Sequence, residues 1–179
     1  LIMGSSSVTS YNPIVNFFKE YYTEDCEKGL IEKYASCIKP YNEYNIWAFK
    51  KWLVGAIFNW VCDEEETTVC PHTLVLTGQE HGIGKTSFIR SLFPKELSKY
   101  FKEDRINLKE KDSMFRLGTS LCLLDDEFGG KSVKDDKEFK NVSDKSHITL
   151  RRPYQKFDIT VRRRAILAGT TNEVDILKD

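Results

Sequence analysis

Residues 74 to 90, Leu-Val-Leu-Thr-Gly-Gln-Glu-His-Gly-Ile-Gly-Lys-Thr-Ser-Phe-Ile-Arg, constrain this chain more than any other stretch. A short aliphatic run ends in a glycine-rich loop, and Gly84-Lys85-Thr86 opens a segment with helical periodicity. Glycines let backbone N–H groups turn inward around a polyphosphate, and the following helix adds its positive N-terminal dipole. Lys85 can then reach the outer phosphates while the Thr86 hydroxyl ligates magnesium. The loop is expected to bind ATP through Gly78, Gly82, Ile83, Gly84, Lys85, Thr86 and Ser87. Five residues separate Gly78 from Gly84 where the usual pattern has four. Either Gln79 takes the first glycine position, or the loop is one residue longer. The bland alternative, a surface turn containing Gly-Lys-Thr, does not explain the strand before it and the helix after it.

Two further strand ends carry matching chemistry. Leu121-Cys122-Leu123-Leu124 fits a buried parallel strand and runs into Asp125-Asp126-Glu127. An acid at such a tip can hold hydrated magnesium, and a second can orient and deprotonate the attacking water. Asp126 is the expected metal ligand, with Asp125 as alternate or support, and Glu127 the expected catalytic base. Ala165 to Gly169 reads as another buried strand, ending in Thr170-Thr171-Asn172. Asn172 is the candidate for touching the γ-phosphate or the water, with Thr171 and Thr170 behind it.

On these motifs the chain resembles the ATPase core of the virulence-associated protein E family, a superfamily 3 helicase-like group of phages and mobile elements. The resemblance spans about residues 11 to 179. It rests also on Tyr11-Asn12-Pro13-Ile14, Lys51-Trp52-Leu53-Val54-Gly55-Ala56-Ile57, Phe93-Pro94, Leu150-Arg151-Arg152-Pro153-Tyr154 and Arg163-Arg164-Ala165. It implies an α/β P-loop NTPase core of the AAA+ or superfamily 3 kind with an N-terminal helical annex. It implies a helicase or primase–helicase ATPase that works as a homo-oligomeric ring, and it gives Asn172 the part called sensor 1. It also implies a hairpin before the last strand whose basic tip grips single-stranded DNA. Arg151, Arg152, Tyr154 and Lys156 occupy that tip, where cations neutralise phosphates and an aromatic ring stacks on a base. A solvated basic hairpin, or arginines at subunit contacts, would look the same. In such helicases the arginine finger lies beyond sensor 1, so the chain is expected to be a fragment that stops short of it. Arg162, Arg163 or Arg164, placed before a core strand, could substitute for it.

With 179 residues, 40% of them hydrophobic, there is chain enough for a sizeable core. Lys plus Arg and Asp plus Glu are both 27, so net charge gives no hint of a polyanionic partner. Its distribution does. Residues 140 to 164 hold eight basic residues against Asp144 and Asp158, a local net of plus six, while acid gathers at Asp63-Glu64-Glu65-Glu66. Five cysteines in an odd set without C-x-x-C, no membrane-length apolar run and no secretory signal are consistent with a cytoplasmic protein. Cys122 is expected to be a buried small hydrophobe. Metal ligation by Cys62, Cys70 and His72 is weighed and set aside.

Residues 1–10 read as a flexible arm, 11–65 as the helical annex and 73–179 as the core. Helices are expected from Pro13 to Tyr22, from Leu30 to Ile38, from Tyr44 to Cys62, after Lys85 and over 110–118. Further expectations are a helical turn at Leu97–Phe101, an exposed helix over Val133–Val142, and strands at 147–150 and 157–161. Trp47, Trp52 and Trp60 read as packing residues rather than base-stacking platforms. Two rivals to the motor remain at this level: a nucleotide switch or scaffold without turnover, and a small phosphotransferase.

Overall fold

The computed structural model describes residues 12–105, 107, 110–129, 139–151 and 156–173. The chain opens with three helices, α1 (Pro13–Tyr21), α2 (Leu30–Ala35) and α3 (Glu43–Val61). Asn12 caps α1, its side-chain oxygen accepting from Ile14 N at 3.0 Å, and Pro13 at the first helical position needs no N–H partner. Asn42 caps α3 in the same way through Asn45 N at 2.8 Å. After β1 (Thr73–Thr77) come α4 (Lys85–Ser91), a 3-10 turn (Lys95–Tyr100) and β2 (Phe101–Glu103). Then follow α5 (Lys111–Thr119), β3 (Cys122–Asp125), β4 (His147–Arg151), β5 (Asp158–Arg162) and β6 (Ile166–Thr171).

Four strands form a parallel sheet in the order β1-β6-β3-β2, and β4 and β5 pair as an antiparallel hairpin. The molecule is thus mixed α/β. Side chains of a strand alternate between faces, and a parallel sheet is covered on both, so β3 is apolar from Cys122 to Leu124 and β6 from Ile166 to Ala168, with polar residues only toward their carboxyl ends. Cys122, Leu124, Ile166 and Ala168 point toward Phe49, Trp52, Ala56 and Trp60 of α3 and Ile89 of α4. Leu123 and Leu167 point the other way, into a smaller cluster with Leu117 of α5, Val142 and Ile148. The helices at the amino end therefore share one core with the sheet. Burial of its apolar side chains contributes about 25 cal/mol for each Å² removed from water.

Gly55 sits inside α3, where glycine weakens a helix by about 0.5–1 kcal/mol. A Cβ there would lie 2.2 Å from Cys70 Sγ, so glycine allows the segment leading into β1 to press against the helix. Trp52 and Trp60 are buried and their indole N–H groups donate to Leu167 O at 3.1 Å and Leu121 O at 3.0 Å. Trp47 departs from expectation. It is 53% exposed, with Lys51 Nζ 4.7 Å above its ring, because α3 is apolar around more of its circumference than the sheet can cover. Strand β2 was not foreseen either; the pattern around Phe101 reads as the end of a helical turn, yet Phe101 pairs with Cys122. Residues 139–143 are helical, and the remainder of the expected Val133–Val142 helix lies outside the described residues.

The largest correction concerns Arg162, Arg163 and Arg164, read as part of a basic stripe and as stand-ins for an arginine finger. All three are buried, at 1%, 1% and 7% exposure. Arg163 donates to Cys70 O (2.6 Å), Ser143 O (2.8 Å), Lys145 O (3.1 Å) and Ala165 O (3.1 Å). Burial is the main cause that brings its guanidinium down to about 10, with Arg162 adding to it and Cys70 and Asp144 opposing. Arg162 donates to the carbonyls of Glu66 and, at 2.6 Å, Thr68, and its Nε lies 2.9 Å from Cys62 Sγ. Arg164 takes Asn59 O (3.0 Å), Cys62 O (2.5 Å) and the Glu64 carboxylate (2.5 Å). The acidic run at 63–66 is therefore a partner of these arginines and not the opposite pole of the molecule. Buried cations need such saturation. None of the three is available to DNA or to a neighbouring subunit's phosphates.

Candidate functional site

In open parallel sheets, ligands bind at the carboxyl ends of the strands. Here those ends are brought level by register: Thr77 of β1 lies beside Thr171 of β6, and Asp125 of β3 beside Gly169. The loop between β1 and α4 closes over them. A cavity of about 250 Å³ results, lined by His81 to Ser87, Asp126 and Thr170 to Asn172.

The loop owes its shape to left-handed residues. Gly82 and Gly84 have φ of 75° and 89°, which a side chain would make costly, and a Cβ at either would meet open space. Gly78 plays another part. It ends the strand, and a Cβ there would lie 3.1 Å from Ile83 Cδ1. Its carbonyl accepts from Lys85 Nζ at 2.8 Å.

Lys85 Nζ also donates to Glu80 O (3.2 Å) and Asn172 Oδ1 (2.7 Å), so loop and β6 are joined through one ammonium. Asn172 Nδ2 lies 3.3 Å from His81 Nδ1. The Thr86 hydroxyl donates to Asp126 Oδ1, and the Thr170 hydroxyl donates to the same oxygen at 2.6 Å. Thr170 and Thr86, in that order, hold the Asp126 carboxyl below the usual carboxylate range against the opposing effect of burial; Arg90 and Lys85 add to the lowering. Asp126 is therefore ionised at neutral pH. Arg90 grips Glu103 through both carboxylate oxygens at 2.7 and 2.8 Å, which ties α4 to β2.

Of the residues read from sequence, Gly82, Ile83, Gly84, Lys85, Thr86, Ser87, Asp126 and Asn172 line one cavity. Gly78 contributes its carbonyl from behind. Asp125 is 1% exposed within the sheet, its Oδ1 accepting from Glu127 N at 3.3 Å, so its carboxylate braces the turn while Asp126 faces the loop. The Glu127 side chain is exposed on that turn and is not among the groups lining the cavity. The role of Thr170 was missed: it was placed behind Asn172, yet it holds the Asp126 carboxylate. A hydroxyl at the end of an otherwise apolar strand was the available signal. The hairpin β4–β5 is present, and Lys156 is exposed; Arg152 and Tyr154 lie outside the described residues, as do the ends of the chain at 1–11 and 174–179.

The donor set fits magnesium. Thr86 and Asp126 present one hydroxyl and one ionised carboxylate to the same space, and Mg²⁺ favours few protein oxygens completed by water and phosphate.

The molecule is a mixed α/β protein with a parallel sheet, whose glycine-rich loop closes over a lysine, a carboxylate and an amide at the strand ends. The family model described as the virulence-associated protein E-like domain matches residues 19–179, and the chain belongs to that family. Two solved structures are similar in fold. The A form apo structure of the NrS-1 C-terminal region is 16% identical with a TM-score of 0.53, covering 80% of this chain and 33% of that one. The A form apo structure of the same region, residues 305–718, is 15% identical with a TM-score of 0.52, covering 84% and 34%. The chain thus spans about a third of each. No curated protein matches it. Among the described residues no helix is long and apolar enough to cross a membrane.

Proposed function

We propose that this domain binds ATP with magnesium and hydrolyses it as a nucleic-acid-dependent motor, a P-loop ATPase core of the AAA+ or superfamily 3 kind serving replication of a mobile element. The observation that carries the reading is the convergence of Lys85, the Thr86–Asp126 pair and Asn172 in one cavity. In this reading Lys85 exchanges its present acceptors for phosphate oxygens, and the loop N–H groups hold the rest of the chain of phosphates. Thr86 and Asp126 would hold the magnesium ion, which when bound neutralises phosphate charge. Glu127 takes the proton of the water that attacks the γ-phosphorus; the bond to the bridging oxygen breaks, and ADP and phosphate leave. Asn172 meets the terminal phosphate or that water. The hairpin grips single-stranded DNA through Arg151, Arg152, Tyr154 and Lys156, and several copies form a ring.

One observation favours a second reading. The Glu127 carboxylate is outside the cavity lining, as a nucleotide switch without turnover would have it. Phosphate release with and without single-stranded DNA separates the two, measured for wild type, Lys85→Ala and Glu127→Gln. The motor predicts DNA-stimulated release, binding lost in the first variant, and binding kept but release lost in the second. Wild type that binds ATP and never releases phosphate would leave the switch. Replacing Arg151, Arg152 and Lys156 by Ala tests the hairpin: DNA affinity should fall and its salt dependence flatten, with ATP binding intact.

A further inference from the structure

Motif chemistry leaves His81 without a part, although it lines the cavity beside Lys85 and Asn172. Its contact can be read from donor and acceptor chemistry alone. An ammonium only donates, so the Asn172 atom 2.7 Å from Lys85 Nζ must be the amide oxygen. That fixes the other end of the amide: Nδ2, which only donates, faces His81 Nδ1 at 3.3 Å. Nδ1 must then be the bare, accepting nitrogen, and the ring proton sits on Nε2. The three residues form one directed chain, Lys85 to Asn172 and Asn172 to His81. Two of the three acceptors of Lys85, the carbonyls of Gly78 and Glu80, belong to its own loop. The third, Asn172, comes from just after β6, and His81 is the side chain that meets the other end of its amide.

We propose that His81 is a positioning residue for Asn172: by accepting from Nδ2 through Nδ1 it holds in place the amide whose oxygen meets Lys85, and so steadies both groups for the terminal phosphate of a nucleoside triphosphate. The last clause rests on the ATP reading above; the orientation of the amide does not. Because Lys85 and Asn172 serve the outermost phosphate in that reading, loss of His81 weakens the triphosphate and spares the diphosphate.

Two substitutions separate positioning from bulk. Asparagine at position 81 carries its side-chain oxygen where the histidine has Nδ1, whereas glutamine imitates Nε2. His81→Ala should lower ATP affinity roughly three- to tenfold with ADP affinity unchanged. His81→Asn should restore most of the loss and His81→Gln should not. Equal losses for ATP and ADP, or equal rescue by Asn and Gln, would overturn the proposal. The ligand-free protein gives an independent readout: ring ¹⁵N spectra should show His81 bare at Nδ1 and protonated at Nε2, and the opposite tautomer would overturn it. If wild type bound neither nucleotide, the ATP reading would fall and with it the proposed preference for the terminal phosphate, while the tautomer would still decide whether His81 holds the Asn172 amide.

Discussion

Strand β6 joins two charged regions that resemble each other in sequence and differ in kind. Before its first residue, Arg162, Arg163 and Arg164 enter the interior and are met by backbone carbonyls of the segment 59–70 and of residues 143–145, and by Glu64. After its last residue, Asn172 meets Lys85, whose ammonium also finds carbonyl partners. The number of bonds does not distinguish the two. What differs is access. The guanidiniums are buried and cannot exchange a partner without leaving a carbonyl unmet in the core, which costs about 1–3 kcal/mol for each. Lys85 stands in an open cavity where an incoming acceptor would meet it without a carbonyl being left unmet in the core. Charge that is saturated and sealed clamps the chain; charge that is saturated but open is ready to bind.

The sharpest attempt to break this contrast is Arg163→Ala. It removes a buried cation and orphans several carbonyls, so stability should drop by about 3–5 kcal/mol in denaturant titrations. Nucleotide affinity of the molecules that remain folded should not move; a parallel loss of affinity would mean that the two ends of β6 are not independent. Lys85→Ala should do the reverse, lowering ATP affinity on the order of ten- to a hundredfold with melting of the ligand-free protein nearly unchanged. Thr170→Val comes next in size, at about 1 kcal/mol. It removes the first cause holding Asp126 below its ordinary value of 3.8, so an NMR titration should find that carboxyl moved upward. The sign follows. A depressed carboxyl stabilises the fold above its unfolded value and loses that contribution as pH falls through the folded one. The variant should therefore show a shallower loss of stability on acidification. Smallest is Trp47→Ala: an exposed ring on α3 should cost within about 0.5 kcal/mol by thermal melting, against several for the buried Trp52.

The open region was far more legible from the sequence than the sealed one. The glycine-rich loop announces itself because its glycines, lysine and threonine are neighbours in sequence as well as in space. That Asp126 and Asn172 lie beside the loop could be anticipated because each follows an apolar run, and strand ends meet at one edge of a parallel sheet. The arginines misled because a run of cations reads the same whether it faces water or a shell of carbonyls, and most of those carbonyls come from residues about a hundred positions away. Periodicity likewise marked α3 as a helix without saying which part of its apolar surface the sheet would leave bare, hence Trp47. Strand β2 was hidden by its three residues, too few for any alternation to be seen.

The two indole bonds from α3 into the sheet bear on how the molecule comes apart. Trp52 holds a carbonyl in β6 and Trp60 one at the entry to β3, so the central strands and the long helix are stitched at both. Loss of the three helices before β1 would leave one face of the sheet only the cover given by α4 and the 3-10 turn, baring much of the surface formed by Cys122, Leu124, Ile166 and Ala168. Contiguous bare apolar surface of that sort invites association with other chains. Helix and sheet should accordingly melt in a single transition, and the piece from residue 73 onward should be recovered as aggregate rather than as a smaller soluble protein.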